Sequence, residues 1–399
     1  MKICIFSRSV PVHSSGGMEK HCWSVSIGFS KKGHIVKLIT TSHSQGKEYE
    51  KINSNFEVFY LKDTKPGKYS KKWWKKSLQK FLELDEIEKF DVVFSESSGA
   101  LAVLKYKVKN ELLIPVIFRL PGTALRDAIT QIKQKISIRS VLAAIKNFIL
   151  FFRDKKWFKY ADAIITCSDE IANALKKEMK IEESKIYTIY NGVDLEKFYP
   201  KDKNELRITY KILSDKFIIL TVSRLKKIKG IDVLIYALSS VLKRFKNIEL
   251  FIIGDGDYRK NLERLVHKLD LQDYVKFLGN IPNNNLPDYY NFSDIFVLPT
   301  RAKEGFPWVI IEAMACKKPV IVSNIGGVSG GIIKDGENGL LFEPANIKDL
   351  EEKILLLLNN PQFIDKIAEN GYQTVKKFFS EEIMINKTLE VIEKHAKLS

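Results

Sequence analysis

Apolar residues in this chain fall in short runs, each closed by glycine, a charge or a small polar residue. Ile3-Cys4-Ile5-Phe6, Val92-Val93-Phe94, Val116-Ile117-Phe118, Ala163-Ile164-Ile165 and Ile186-Tyr187-Thr188-Ile189 mark the first half. Phe217 to Val222, Leu250 to Ile253, Val275 to Leu278 and Ile295 to Leu298 mark the second. Such runs are too short for helices and rich in β-branched and aromatic residues, so they predict parallel strands buried on both faces. A helix is predicted from about Met18 to Lys32, stopping at Gly33, with His34 to Thr40 as the next strand. Strand, glycine-rich loop, helix, strand is the opening of a doubly wound α/β domain. The series restarts at Phe217, after a mixed-charge stretch with Pro200 (198–215) that reads as a linker. Two Rossmann-like domains follow, 1–197 and 198–379, with an amphipathic closing helix in 380–399.

The 399 residues are 45% hydrophobic and 28% charged, enough for two separate cores. The apolar start reaches Ser7-Arg8 too soon for a secretory signal, and no run approaches the roughly 20 residues of a membrane span. The cysteines Cys4, Cys22, Cys167 and Cys316 have no metal or redox spacing, so a cytoplasmic setting is expected. Charge changes the picture more. Residues 1–200 hold 35 Lys and Arg against 22 Asp and Glu, the remainder 30 against 26, so most of the net charge of +17 sits in the first half. A basic half implies an anionic partner. Residues 62–80 hold eight lysines and one acid around Tyr69-Ser70-Lys71-Lys72-Trp73-Trp74. Interleaved aromatics and lysines fit an anionic membrane surface, with no nucleic-acid motif beside them; the alternative is a solvated loop whose tryptophans cap the core. A second stretch, Ile132 to Tyr160, reads either as a membrane-resting helix or, preferred here, as an ordinary domain helix.

The candidate chemistry gathers in Pro299 to Gly339. Glu304 belongs to a loop at the carboxyl end of a strand, and Glu312 to the helix that Pro307 opens. The free N–H groups of that helix start suit phosphate, and the two carboxylates suit hydroxyls. A phosphate site flanked by two hydroxyl acceptors suits a nucleotide sugar. Upstream, Arg224 and Lys229 follow a strand at the start of a helix, where a guanidinium and an ammonium suit a diphosphate. Gly16-Gly17 allows close approach to a phosphate but is not a dinucleotide fingerprint.

These motifs resemble the retaining glycosyltransferases of the two-domain GT-B fold, family 4. The likeness rests on Glu304 and Glu312 with seven residues between, Glu312-Ala313-Met314-Ala315, Pro319-Val320-Ile321, Asp335-Gly336-Glu337-Asn338-Gly339, Arg224-Leu225 with Lys229-Gly230, and Gly16-Gly17-Met18-Glu19. Lys317, Ser223, Pro121 and the stretch Gly326 to Gly331 depart from the family pattern. The resemblance implies two domains facing across a cleft, with the last helix crossing back to the first. It implies a nucleotide-diphosphate sugar held by Arg224, Lys229, Gly254, Leu278, Glu304, Gly305, Phe306, Trp308, Val309 and Glu312, with Gly16 and Gly17 beside it. Arg224 and Lys229 would meet the leaving diphosphate, Glu304 the sugar and Glu312 the ribose, with retention, without metal and without a cofactor. His21 reads as structural; His13, Glu96 and Arg119 are the acceptor-binding candidates. The acceptor is expected to be lipid-linked or a glycan, and the enzyme peripheral to the inner face of the plasma membrane. A nucleotide-sugar epimerase and a non-catalytic glycan- or membrane-binding relative are the alternatives.

Overall fold

The computed structural model describes residues 1–14, 16–122, 138–212, 215–301, 303, 305–326 and 331–397. They form two compact units, Met1–Asn191 with Glu382–Ser399, and Gly192–Glu381.

In the first unit β1 (Lys2–Phe6), β2 (Ile35–Thr41), β3 (Tyr49–Asn53), β4 (Phe56–Leu61), β5 (Val92–Glu96), β6 (Val116–Leu120), β7 (Ala163–Thr166) and β8 (Ile186–Thr188) build one sheet. Its order is β3-β4-β2-β1-β5-β6-β7-β8. Every neighbouring pair is parallel except β3 and β4. The helices are α1 (Gly17–Lys31), α2 (Lys71–Glu88), α3 (Leu101–Asn110), α4 (Ile138–Phe158) and α5 (Asp169–Met179). Ser168 caps α5 by accepting from Ile171 N at 3.3 Å, with Asp169 and Glu170 in its first turn.

The second unit carries α6 (Lys203–Thr209), β9 (Phe217–Val222), α7 (Ile231–Val241), β10 (Ile248–Ile253), α8 (Arg259–Lys268), β11 (Val275–Gly279), α9 (Leu286–Phe292) and β12 (Ile295–Leu298). It continues with α10 (Trp308–Ala315), β13 (Val320–Ser323), β14 (Leu340–Phe342), α11 (Ile347–Leu358) and α12 (Pro361–Phe378). The sheet is parallel throughout, in the order β11-β10-β9-β12-β13-β14. Its core includes Ile219, Leu250, Ile252, Val297 and Ile321, all completely buried.

Two sequence readings change. The stretch 198–215 is not a bare linker, because α6 lies in it and buries Arg207. That side chain donates to Phe292 O at 3.1 Å and Lys216 O at 2.9 Å and pairs with Asp294 at 2.6 Å. The Lys-rich segment is helical from Lys71, and its first tryptophan belongs to the core. Trp73 is fully buried and donates Nε1–H to Gly99 O at 3.2 Å, while Trp74 stacks on Tyr69 with centroids 5.2 Å apart.

The closing helix α13 (Glu381–Ala396) buries Met384, Ile385, Leu389 and Ile392. Its last turn meets Tyr187 on β8, where Lys394 Nζ donates to the phenol oxygen at 3.0 Å. Gly28 on α1 is the seat for Ile385, since a Cβ there would lie 2.4 Å from Ile385 Cδ1 and 2.9 Å from Cγ1. A larger residue in mid-helix normally helps a helix; here it overpacks the seat. Gly28→Leu is expected to cost about 1–3 kcal/mol, read as a lowered urea midpoint. An unchanged midpoint would mean that α13 does not rest on α1 in this way.

Candidate active site

Strand order in the second sheet reverses between β9 and β12: β10 and β11 lie to one side, β13 and β14 to the other. Ligands of open α/β sheets bind outside the carboxyl ends of the strands at such a reversal. From β9 the chain enters Ser223 to Gly230, and from β12 it enters Pro299 to Pro307.

The two loops are knitted through main chain. Arg301 N donates to Ile228 O at 2.7 Å. The Arg301 guanidinium donates to Lys227 O at 2.9 Å and grips both oxygens of Asp232 at 2.8 Å. Gly230 adopts φ +70°, and a Cβ there would lie 1.8 Å from the Pro299 carbonyl oxygen. Gly254 adopts φ +121°, and a Cβ there would lie 1.9 Å from Ser223 O. Both positions therefore demand glycine for backbone angle and for space. The loop after β10 joins the same mesh: Leu225 N donates to Asp255 O at 2.9 Å, Tyr258 N to Leu225 O at 3.0 Å and Gly254 N to Gly279 O at 2.7 Å.

On this frame Arg224 is exposed, and Lys229, half-buried, ends the one-turn helix Lys227–Lys229. Leu278 is half-buried at the end of β11. Asp255 spends its carboxylate on Gly256 N at 2.7 Å and on Arg259 at 3.4 Å, so the Asp255-Gly256-Asp257 turn is internally bonded. Among the described residues no group of three His, Cys, Asp or Glu is placed to hold a metal ion.

Pro307 proves to be the N-cap of α10, one position before the first turn where the sequence puts it. The helix opens at Trp308 and Val309, whose N–H groups have no intrahelical acceptor. Phe306 anchors the approach by packing on Phe379, centroids 5.4 Å apart, and leaves Gly305 half-buried. Glu312, 4% exposed, is oriented by Tyr290, whose hydroxyl donates to Oε2 at 2.9 Å. Glu304 and Gly327 to Gly330 lie outside the described residues. Arg301, Asp232 and Tyr290 are the residues that sequence reasoning missed. The only signal was an arginine two places beyond a strand-ending proline.

In the first unit the corresponding reversal lies between β1 and β5. Glu96, at the end of β5, meets His21 Nδ1 through Oε1 and Arg119 through Oε2 at 3.2 Å. Arg119 also donates to Asn191 Oδ1 at 2.6 Å, and Tyr69 donates its hydroxyl to Glu96 O at 2.7 Å. Glu96 is 0% exposed and His21 and Arg119 each 2%. Glu96 and Arg119 thus face each other rather than solvent, as a buried brace joining α1, β5 and β6. His13 has different contacts: Nδ1 accepts from Val10 N at 3.1 Å and Nε2–H donates to Ser42 O at 3.0 Å, so both ring nitrogens serve the main chain. Gly16 is the N-cap of α1 and Gly17 its first residue. A Cβ on Gly16 would lie 2.4 Å from Glu19 Oε2.

Burial, then the Arg119 charge, holds His21 below its ordinary 6.5. Burial alone would raise Glu96, but His21 and Arg119 outweigh it and keep the carboxyl below 4.5. Below about pH 6.5 the unfolded chain takes up a proton on this histidine that the folded chain refuses. Stability is therefore complete above that pH, falls as pH drops toward the folded value of His21, and falls further as Glu96 titrates. His13, His34 and His395 are shifted the same way. Comparing the wild type with His21→Asn isolates the contribution of the brace. Urea midpoints should be flat between about pH 7 and 8 and decline on acidification, less steeply in the variant. Identical pH profiles would contradict the brace.

The model of glycosyl transferases group 1 matches residues 202–374, and that of glycosyltransferase family 4 matches residues 15–197. An uncharacterized glycosyltransferase of Methanocaldococcus jannaschii is 34% identical over 73% of this chain and 72% of its own length. The capsular polysaccharide biosynthesis glycosyltransferase CapM of Staphylococcus aureus is 32% identical over 60% of this chain and 63% of its own. Among solved structures, sucrose-phosphate synthase from Thermosynechococcus elongatus superposes over 100% of both chains with TM-score 0.83 and 21% identity. Anabaena HepE in complex with UDP does so over 99% of this chain and 100% of its own, with TM-score 0.76 and 21% identity. Two doubly wound sheets, a switch-point mesh carrying Arg224 and Lys229, and these likenesses together make the chain a GT-B glycosyltransferase of the group 1, family 4 kind.

Proposed function

We propose that this enzyme moves a hexosyl group, with retention, from a nucleotide-diphosphate sugar to a lipid-linked or glycan acceptor in cell-surface polysaccharide or glycolipid assembly. The observation that carries this reading is the mesh at the β9–β12 reversal, where Arg224, Lys229 and the opening N–H groups of α10 stand on loops locked to one another. When the sugar–phosphate bond breaks, negative charge accumulates on the departing diphosphate. Cations and N–H dipoles already fixed in place stabilise it without reorganising. Glu312, oriented by Tyr290, takes the ribose hydroxyls, and Glu304 those of the sugar; Gly254 and Leu278 border the base. Retention follows if the leaving phosphate accepts the acceptor's proton on the face it departs from. HepE holds UDP on the same fold, and CapM is named for capsular polysaccharide; both support the donor class and the setting.

The acceptor falls to the basic first unit. Glu96 and Arg119 act there by bracing the strand ends, and His13 by pinning the β1 loop. The enzyme works at the inner face of an anionic membrane; among the described residues no helix is long and apolar enough to cross one.

Slow donor hydrolysis, screened over UDP-, GDP- and ADP-sugars, tests the reading. One series should release nucleoside diphosphate, and Lys229→Ala should slow that release about 100-fold. Conversion of the donor to an epimer, or full activity in Lys229→Ala, would overturn it. Arg301→Ala, which loosens the mesh without touching substrate, should cost about tenfold. Rates equal to wild type would show that the loops hold without it.

A further inference from the structure

Helix α4 presents an apolar face to solvent. Val141, Leu142, Ile145, Phe148, Ile149 and Phe152 are between 44% and 64% exposed. At 100° per residue they fall within an arc of about 120° and run for about 16 Å along the axis. Ala144, Phe151 and Phe158, on the adjoining arc, are buried against the domain. The helix therefore has one apolar stripe for its own core and a second that stays exposed among the described residues. Water-facing helix surfaces are normally polar, and a contiguous apolar strip of this size marks a binding surface.

The rim decides the partner. Lys146 borders the stripe along its Leu142 and Ile149 edge, beside Arg153, whose guanidinium is paired with Asp154 at 2.8 Å, and Lys156 continues it one turn beyond Phe152. Arg153 lies 5.6 Å over the ring of Trp74, which brings the exposed Lys71, Lys72 and Lys75 of α2 alongside. Lys105 and Lys156 lie 5.0 and 5.8 Å over Trp157. A second copy docking symmetrically on this stripe would bring the same cations against its own. An apolar strip fringed by lysines, arginine and indole matches an anionic bilayer: hydrocarbon for the stripe, phosphate for the rim.

We propose that α4 lies in the membrane surface, its Val141-to-Phe152 face among the acyl chains and its basic rim on anionic headgroups. This inference rests on the lipid-facing reading of the acceptor and moves the membrane contact from the tryptophans of α2 to α4. A helix seated at that depth would hold the first unit against the bilayer where a lipid-linked acceptor resides.

Sedimentation with vesicles of phosphatidylcholine containing about one-third phosphatidylglycerol tests it. The wild type should bind at low salt and not bind pure phosphatidylcholine. Leu142→Gln/Ile149→Gln, which leaves net charge unchanged, should weaken binding about tenfold or more with an unchanged urea midpoint. Lys72→Gln/Lys75→Gln/Lys146→Gln should flatten the salt dependence. The indole introduced by Ile149→Trp should shift its emission to the blue on vesicles and be quenched by brominated acyl chains. Undiminished binding of the double glutamine variant, or an unquenched indole in Ile149→Trp, overturns the proposal. So does a wild-type dimer that the double variant dissociates. Donor hydrolysis in vesicle-free solution separates the two readings. If the double variant hydrolyses donor at the wild-type rate but both proteins bind vesicles equally, α4 is wrong and the transferase reading stands. If the wild type binds vesicles through α4 but hydrolyses no donor, the reverse holds.

Discussion

Main chain pressed against main chain at the end of β9 is the constraint on which the candidate site depends. Gly230 sits where any side chain would enter the Pro299 carbonyl, and Gly254 where one would enter Ser223. These approaches let three loops exchange N–H···O bonds directly, with no side chains as spacers. A loop fixed in this way can hold a lysine in one place, and a cation already in place does not have to be recruited as charge develops. Arg301 completes the lock by tying the β12 loop to Asp232 at the start of α7.

The first unit uses the same position in its sheet differently. At its reversal point it places a carboxylate, a guanidinium and an imidazole out of water, where Arg119 bonds Glu96 and Asn191 through its two terminal nitrogens and leaves Nε–H without an acceptor among the described residues. Removing one partner of such a set leaves a buried charge uncompensated, which costs more than the intact set contributes. Glu96 and Arg119 therefore belong to the frame of the first unit, tying β5 to β6.

Much of this was legible in the sequence, for identifiable reasons. Strands buried on both faces leave uninterrupted apolar runs, so β1, β5 to β7 and β9 to β12 could be read directly. The β3–β4 hairpin could not, because β3 is an edge strand with alternating exposure. Helix α2 was masked by its lysines, although Ser70 caps it by accepting from Trp73 N at 3.2 Å. In the site, the residues that carry charge announced themselves by spacing: Arg224, Lys229 and Glu312. Their supports did not, since Arg301 reaches Asp232 across 69 residues and Tyr290 reaches Glu312 across 22. Lys317 shows the limit of motif reading. It replaces the family's glycine and keeps the left-handed backbone, φ 55°, while its ammonium pairs with Glu369 at 2.7 Å.

The central claim is that cations held at the β9–β12 reversal take the charge of the leaving diphosphate. Calorimetric titration with nucleoside diphosphates and monophosphates of uridine, guanosine and adenosine, on the wild type and on Arg224→Gln, addresses it most directly. The account predicts that one diphosphate binds the wild type about tenfold or more tighter than its monophosphate, and that Arg224→Gln closes most of that gap. An equal gap in both proteins would place the second phosphate elsewhere and contradict the account.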